Sequence, residues 1–118
     1  MNAARRKGTA AESAVVTYLR SRGWIHAERR SLNGSKDRGD IAGIPGVVVE
    51  VKSGKEYDLA GWMKETATEQ LNDNAKFGVL VVKPRRVGET GIPSWYAVMP
   101  LHQVASLLRD AGYGTETT

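Results

Sequence analysis

From Thr9 to Gly23 the sequence TAAESAVVTYLRSRG sets Ala11, Val15, Tyr18 and Leu19 at helical spacing, which predicts an amphipathic helix stopped by Gly23. WIHAERR, residues 24–30, reads as extended, and SLNGSKDRG after it is a polar loop marked by Asn and Gly. Two strands follow, Asp40–Ala42 and Val47–Lys52, joined by Gly43-Ile44-Pro45-Gly46, whose Pro-Gly pair favours a turn. A second helical period runs from Asp58, a capping residue, to Asn74, with Met63, Ala67, Gln70 and Leu71 on one face. The apolar run FGVLVVK predicts a strand buried on both faces. A basic loop, PRRVGETGIPS, leads to a strand, WYAVM, and then to a helix over Leu101–Ala111 with Leu101, Val104, Leu107 and Leu108 inward and Gly112 as its stop. The order α-β-β-β-α-β-β-α predicts an α/β fold, a central mixed β-sheet flanked by helices, as a single domain over residues 1–118. Residues 1–8 are expected to form a basic tail and residues 113–118 to fray.

Composition narrows the chemistry. With 118 residues, 41% of them hydrophobic, the chain is long enough for one core and too short for two. It contains no cysteine, which excludes a disulfide scaffold, a cysteine nucleophile and a thiolate metal site, and suits a reducing cytoplasm. No apolar run approaches the ~20 residues that cross a bilayer, and residues 1–14 hold no signal-peptide hydrophobic region, so a cytoplasmic location without membrane partners is expected. The net charge of +4 is unevenly placed: residues 1–38 carry nine Lys/Arg against three acids. Arg5, Arg6, Lys7, Arg29, Arg30, Lys36 and Arg38 belong to this basic third, and Arg85 and Arg86 to the later loop. Such a distribution suits either a polyanion-binding face or a solvated one.

The strand Val47–Lys52 carries the candidate chemistry. Alternation puts Val47, Val49 and Val51 on one face and Val48, Glu50 and Lys52 on the other. Burying Glu50 and Lys52 in so apolar a segment costs on the order of several kcal/mol per ion unless something compensates. A divalent cation would compensate Glu50, with Asp40 as a second oxygen ligand, a backbone carbonyl near Val51 as a third, and waters completing the octahedron that Mg²⁺ prefers. Register decides whether Asp40 can take part. A two-residue loop sets it opposite Val51 and toward the core, whereas a three-residue loop or a bulge sets it opposite Glu50. Lys52 beside such a metal can hold the attacking water and stabilise charge on a phosphate. An isolated E-x-K is also a common surface ion pair, and only its spacing from Asp40 makes the pattern more specific.

These residues carry a resemblance. GDIAGIPGVVVEVKSGK is similar to the signature of the PD-(D/E)XK nuclease superfamily, and KGTAAESAVVTYLRSRGW, RGDIAG, VVVEVKSG and AKFGVLVVKPR together resemble the Holliday-junction resolvases of archaea and phages across roughly residues 7–86. Gly39 stands where the family commonly has Pro. The resemblance implies a restriction-endonuclease-like fold and a Mg²⁺-dependent endonuclease, with Mn²⁺ able to substitute, that acts as a homodimer on branched DNA such as a four-way junction, in a host cell if phage-encoded. Asp40 and Glu50 match the metal-binding acids, Lys52 the catalytic lysine, and Glu12 the acid of the first helix. Ser31 or Ser35 matches a serine of the loop before the aspartate, and Gln70 a polar residue of the second helix near the site. For Glu12 an alternative stands beside this, since TAAE also reads as a capping box with Thr9 as the cap.

Other residues read more plainly. Trp62 either stacks on a base or joins the core, and His26 and His102 have no partner at ligand spacing. The motif specifies chemistry rather than DNA shape, so a nuclease for flaps, nicks or ends is the neighbouring reading. A non-catalytic nucleic-acid-binding module on the same fold is the reading from another class, although paired acids do not favour phosphate binding.

Overall fold

The computed structural model describes residues 3–31 and 36–115, and the side chains from residue 8 onward. The elements run α1 (Ala3–Ser21), β1 (Glu28–Arg29), β2 (Ile41–Ala42), β3 (Val47–Lys52), α2 (Leu59–Asn72), β4 (Phe77–Val82), a 3-10 helix over Glu89–Ser94, β5 (Tyr96–Val98) and α3 (Leu101–Asp110). The strands form one mixed sheet in the order β1-β2-β3-β4-β5, with β3 and β4 parallel and the other pairs antiparallel. This is the expected α/β architecture of a mixed sheet with helices about it.

One face of β3 meets α1. Val49 and Val51 are buried with Ala11, Val15 and Val16 of α1, together with Ala27, Ile41 and Trp95, and Val47 packs at the margin of that cluster. At the end of α1, Gly23 takes a φ of +115° and the Trp24 amide donates back to the Leu19 carbonyl, so the helix stops where the glycine predicts. The opposite face of β3 carries Val48 and Glu50 under α2, where Thr66 and Glu69 are the buried residues.

Several boundaries and faces differ from expectation. Helix α1 begins at Ala3, so the segment expected as a tail is helical from that point and Thr9 lies within the helix instead of capping it. In 24–30 only Glu28–Arg29 is strand, because the Ala27 amide closes a turn onto the Trp24 carbonyl. Strand β4 is not buried throughout: Gly78, Leu80 and Val82 are buried while Phe77, Val79 and Val81 are partly exposed. On α2 the inward positions are Thr66 and Glu69, leaving Ala67 and Leu71 exposed. On α3 the inward residue is Gln103, and Leu101, Leu107 and Leu108 are exposed. Gln103 is fixed there by polar demand, since its side-chain oxygen accepts the Gly78 amide at 2.9 Å and its nitrogen donates to Gln70 at 3.0 Å.

Candidate metal and acid cluster

The β2–β3 register brings the two acids together. Ile41 pairs with Val49, the alignment of a three-residue loop, which sets Asp40 across from Glu50. The Asp40 amide donates to the Val49 carbonyl at 2.9 Å, and its Oδ2 accepts the Val51 amide at 2.8 Å. Gly39 makes the approach possible. It is buried with a φ of +95°, and a Cβ there would lie 2.9 Å from Val48 Cγ1 and 3.1 Å from the Val49 carbonyl oxygen. Proline, held near a φ of about −65°, cannot adopt this conformation, so glycine at the position is a requirement of this backbone.

Glu50 is 4% exposed and lies among other carboxylates. Ligand oxygens of Glu50, Glu65 and Glu69 lie within 4.8 Å of one another, a trio that could bind a metal ion. Glu50 and Glu69 are buried and Glu65 is exposed. Glu65 and Glu69 stand four apart on α2 and so share the face turned to β3. Among the described residues, Glu50 Oε1 and both Glu69 oxygens are buried with no hydrogen-bond partner. Lys52 Nζ completes the cluster, 3.2 Å from Glu50 and 2.6 Å from Glu65.

Burial and crowding perturb Glu50, Glu69 and Asp40. Burial pushes Glu50 up to about 11, with the neighbouring Glu69 and Asp40 carboxyls acting the same way. Burial also raises Glu69 to about 7, against the Glu50 contact and with Asp37 and Asp40 adding to the rise. Asp40 is raised by burial, though the Val51 amide, Glu50 and Lys52 oppose it. For Lys52 burial acts downward, but its contacts with Glu65 and Glu50 outweigh it and its pKa is raised. Without a bound cation, therefore, protons occupy this cluster at neutral pH, and Lys52 is an ammonium.

Glu12 of α1 borders the cluster. Its Oε1 accepts from Arg29 Nε at 3.1 Å, and its pKa is raised by burial and then by Asp40, against Arg29. The capping-box reading fails, since the helix starts at Ala3, well before Thr9. Gln70 is engaged elsewhere: its nitrogen donates to the Ala75 and Lys76 carbonyls and its oxygen accepts from Gln103. The helix residue that meets Glu50 is its neighbour Glu69.

The cations expected to meet DNA divide into groups. Arg29 is exposed and paired with Glu12, while Arg30 is half-buried, 3.9 Å from Asp73. Arg30, Lys36 and Arg38 line a cavity of about 250 Å³ that reaches Asp40, and exposed Ser31 shares its wall. Arg85 and Arg86 are exposed beyond β4. Ser35 and the side chains of Arg5, Arg6 and Lys7 lie outside the described residues.

No family model, curated protein or solved structure matches the chain.

Sequence reasoning missed Glu65 and Glu69. Their four-residue spacing was the available signal, but the apolar stripe through Met63, Ala67 and Leu71 pointed to another face.

Proposed function

We propose that the protein is a metal-dependent endonuclease of branched DNA, similar to Holliday-junction resolvases of the PD-(D/E)XK superfamily. The observation that carries this reading is the meeting of Asp40, just ahead of β2, with Glu50 and Lys52 of β3, over a set of buried carboxylate oxygens that no donor satisfies. Leaving such oxygens ionised and unpaired costs on the order of several kcal/mol. A hard divalent cation would remove that cost, and an all-oxygen donor set suits Mg²⁺ or Mn²⁺ better than softer metals.

Asp40 and Glu50 are the ligands this reading assigns, with the Val51 carbonyl as the third and Glu69 as an additional acid of the same cluster. Bound there, the ion would lower the pKa of a water and neutralise charge on the phosphate. The chain's own residues supply the rest. The Val51 amide holds Asp40 in orientation. Lys52, protonated and fixed by two acids, presents positive charge where a phosphate oxygen would gain negative charge. Glu12, beside Asp40 and Arg29, can accept a proton from water or steer it.

Two cuts in one junction need two such sites, so we assign the protein to a symmetric homodimer. Exposed Leu101, Leu107 and Leu108 on α3 offer apolar surface that a second copy would cover.

The test is incubation with labelled four-way junction, flap, nicked and linear duplex DNA, with and without Mg²⁺. Cleavage should require the metal and favour the junction. Asp40→Ala should abolish it while keeping DNA binding or tightening it, because negative charge facing phosphate is removed. Undiminished cleavage by Asp40→Ala, or no cleavage of any substrate in Mg²⁺ or Mn²⁺, removes the proposal. A preference for flaps or nicks retains the chemistry and moves the substrate to the neighbouring reading.

A further inference from the structure

Beyond the acid cluster, the loops that leave the parallel strands β3 and β4 enclose two adjoining cavities of about 480 and 490 Å³. Lys55, Lys83 and Arg85 line both. Arg85 Nη2 donates to the Lys55 carbonyl at 2.7 Å, which ties one loop to the other. None of the three cations is in an ion pair among the described residues. The second cavity adds three aromatic rings, Tyr57, Trp62 and Tyr96. Tyr57 and Tyr96 are 62% and 54% exposed, and Tyr57 meets half-buried Trp62 edge-on with centroids 5.0 Å apart. Ser53, the residue after Lys52 of the acid cluster, lines both cavities.

Uncompensated cations beside exposed rings are complementary to phosphate and nucleobase together. The groove's size decides between paired and unpaired nucleic acid. Several hundred Å³ is the scale of a small-molecule site, too small to admit a duplex, whose base faces are in any case covered by stacking. We propose that this groove holds an unpaired nucleotide of a DNA strand, its base against Tyr57, Trp62 and Tyr96 and its phosphates on Lys55, Lys83 and Arg85. The choice of DNA rests on the endonuclease reading; the stacking and charge do not. The strand would run from the groove toward Asp40 and Glu50, so that in a four-way junction the captured residue is one unpaired at the branch point, next to the cut.

The test separates the two readings by working first without metal. In chelator, oligothymidylate should quench tryptophan emission, and Trp62→Phe should remove most of the quenching although Trp24 and Trp95 remain. Tyr57→Ala with Tyr96→Ala, both at exposed positions, should weaken oligothymidylate about tenfold or more and leave a short blunt duplex unaffected. Lys83→Gln should lower the salt slope on the single strand by about 0.7. Unchanged oligothymidylate affinity in the double tyrosine variant, an equal loss on duplex, or tighter binding of oligouridylate or of free thymidine monophosphate each overturns the proposal. Quenching by oligothymidylate with no cleavage in Mg²⁺ upholds the groove and removes the nuclease beside it. Cleavage with Trp62 emission unmoved by oligothymidylate does the reverse.

Discussion

Glu12 contributes little to holding α1, because it is mid-helix and its partner Arg29 is exposed. Exposed ion pairs are worth about 0–1 kcal/mol, so Glu12→Gln should melt within a few degrees of the parent. Its carboxylate borders Asp40, and in the proposed chemistry the same change should slow cleavage by about a hundredfold. Equal melting with equal cleavage would leave Glu12 as a partner of Arg29 alone. Glu50 and Glu69 give a prediction about pH. Their pKa values in the folded chain lie above the ordinary carboxylate value, so the folded state holds more protons than the unfolded one once pH passes about 4.5. Stability in chelator should therefore be greatest at acid pH and fall by a few kcal/mol, on that order, as pH rises through about 7. Millimolar Mg²⁺ should restore melting temperature at pH ~8 and do little at pH ~5, where protons occupy the same oxygens. Thermal melts across that range, with and without Mg²⁺, check both signs. Glu69→Gln should flatten the chelator curve.

At the scale of elements, α3 departs furthest from its pattern. Four apolar residues at helical spacing predict an inward face, yet Gln103 is the buried residue and Leu101 is 82% exposed. A free Gly78 amide at the start of β4 must find an acceptor, and Gln103 supplies it. Gln103→Ala should cost about 1–3 kcal/mol by orphaning that amide, while Leu101→Ala should alter the folding of the single chain by less than about 0.5 kcal/mol. Denaturant titrations of the two variants at low concentration compare them directly. A larger effect at Leu101 than at Gln103 would reverse the assignment of faces. The same logic turns α2: its apolar stripe was plain in the sequence, but the strand beneath it carries Glu50 and Lys52, and the helix answers with Glu69 and Glu65.

For the whole molecule, the proposed homodimer makes a quantitative demand. Sedimentation at micromolar concentration should give twice the 12.8 kDa chain mass for the protein alone, and two chains per DNA when a four-way junction is added. If the basic surfaces of two copies neutralise many phosphates together, log K on duplex arms should fall by about 0.9 per phosphate contact for each log unit of salt. A strict monomer that cuts one strand without preferring a junction would keep the chemistry and remove the resolvase assignment.

The sequence by itself determined the number and order of α-helices and strands, though not the 3-10 helix Glu89–Ser94 in the segment expected as a loop, because period and punctuation are local: Gly23 and Gly112 stop helices, Asp58 caps α2 through the Gly61 amide, and the valines of β3 alternate. It also marked Asp40, Glu50 and Lys52 as residues needing a reason. Whether Asp40 meets Glu50 was beyond it, since the four residues Gly43–Gly46 are compatible with more than one register. The tertiary structure decided that through Ile41 opposite Val49 and through Gly39, whose left-handed backbone lets the two strands approach. It likewise decided that Glu69, and not Gln70, faces the cluster. A helix's rotation on a sheet is set by what lies beneath it, and a one-dimensional pattern of apolar residues does not record where a distant strand has buried an acid.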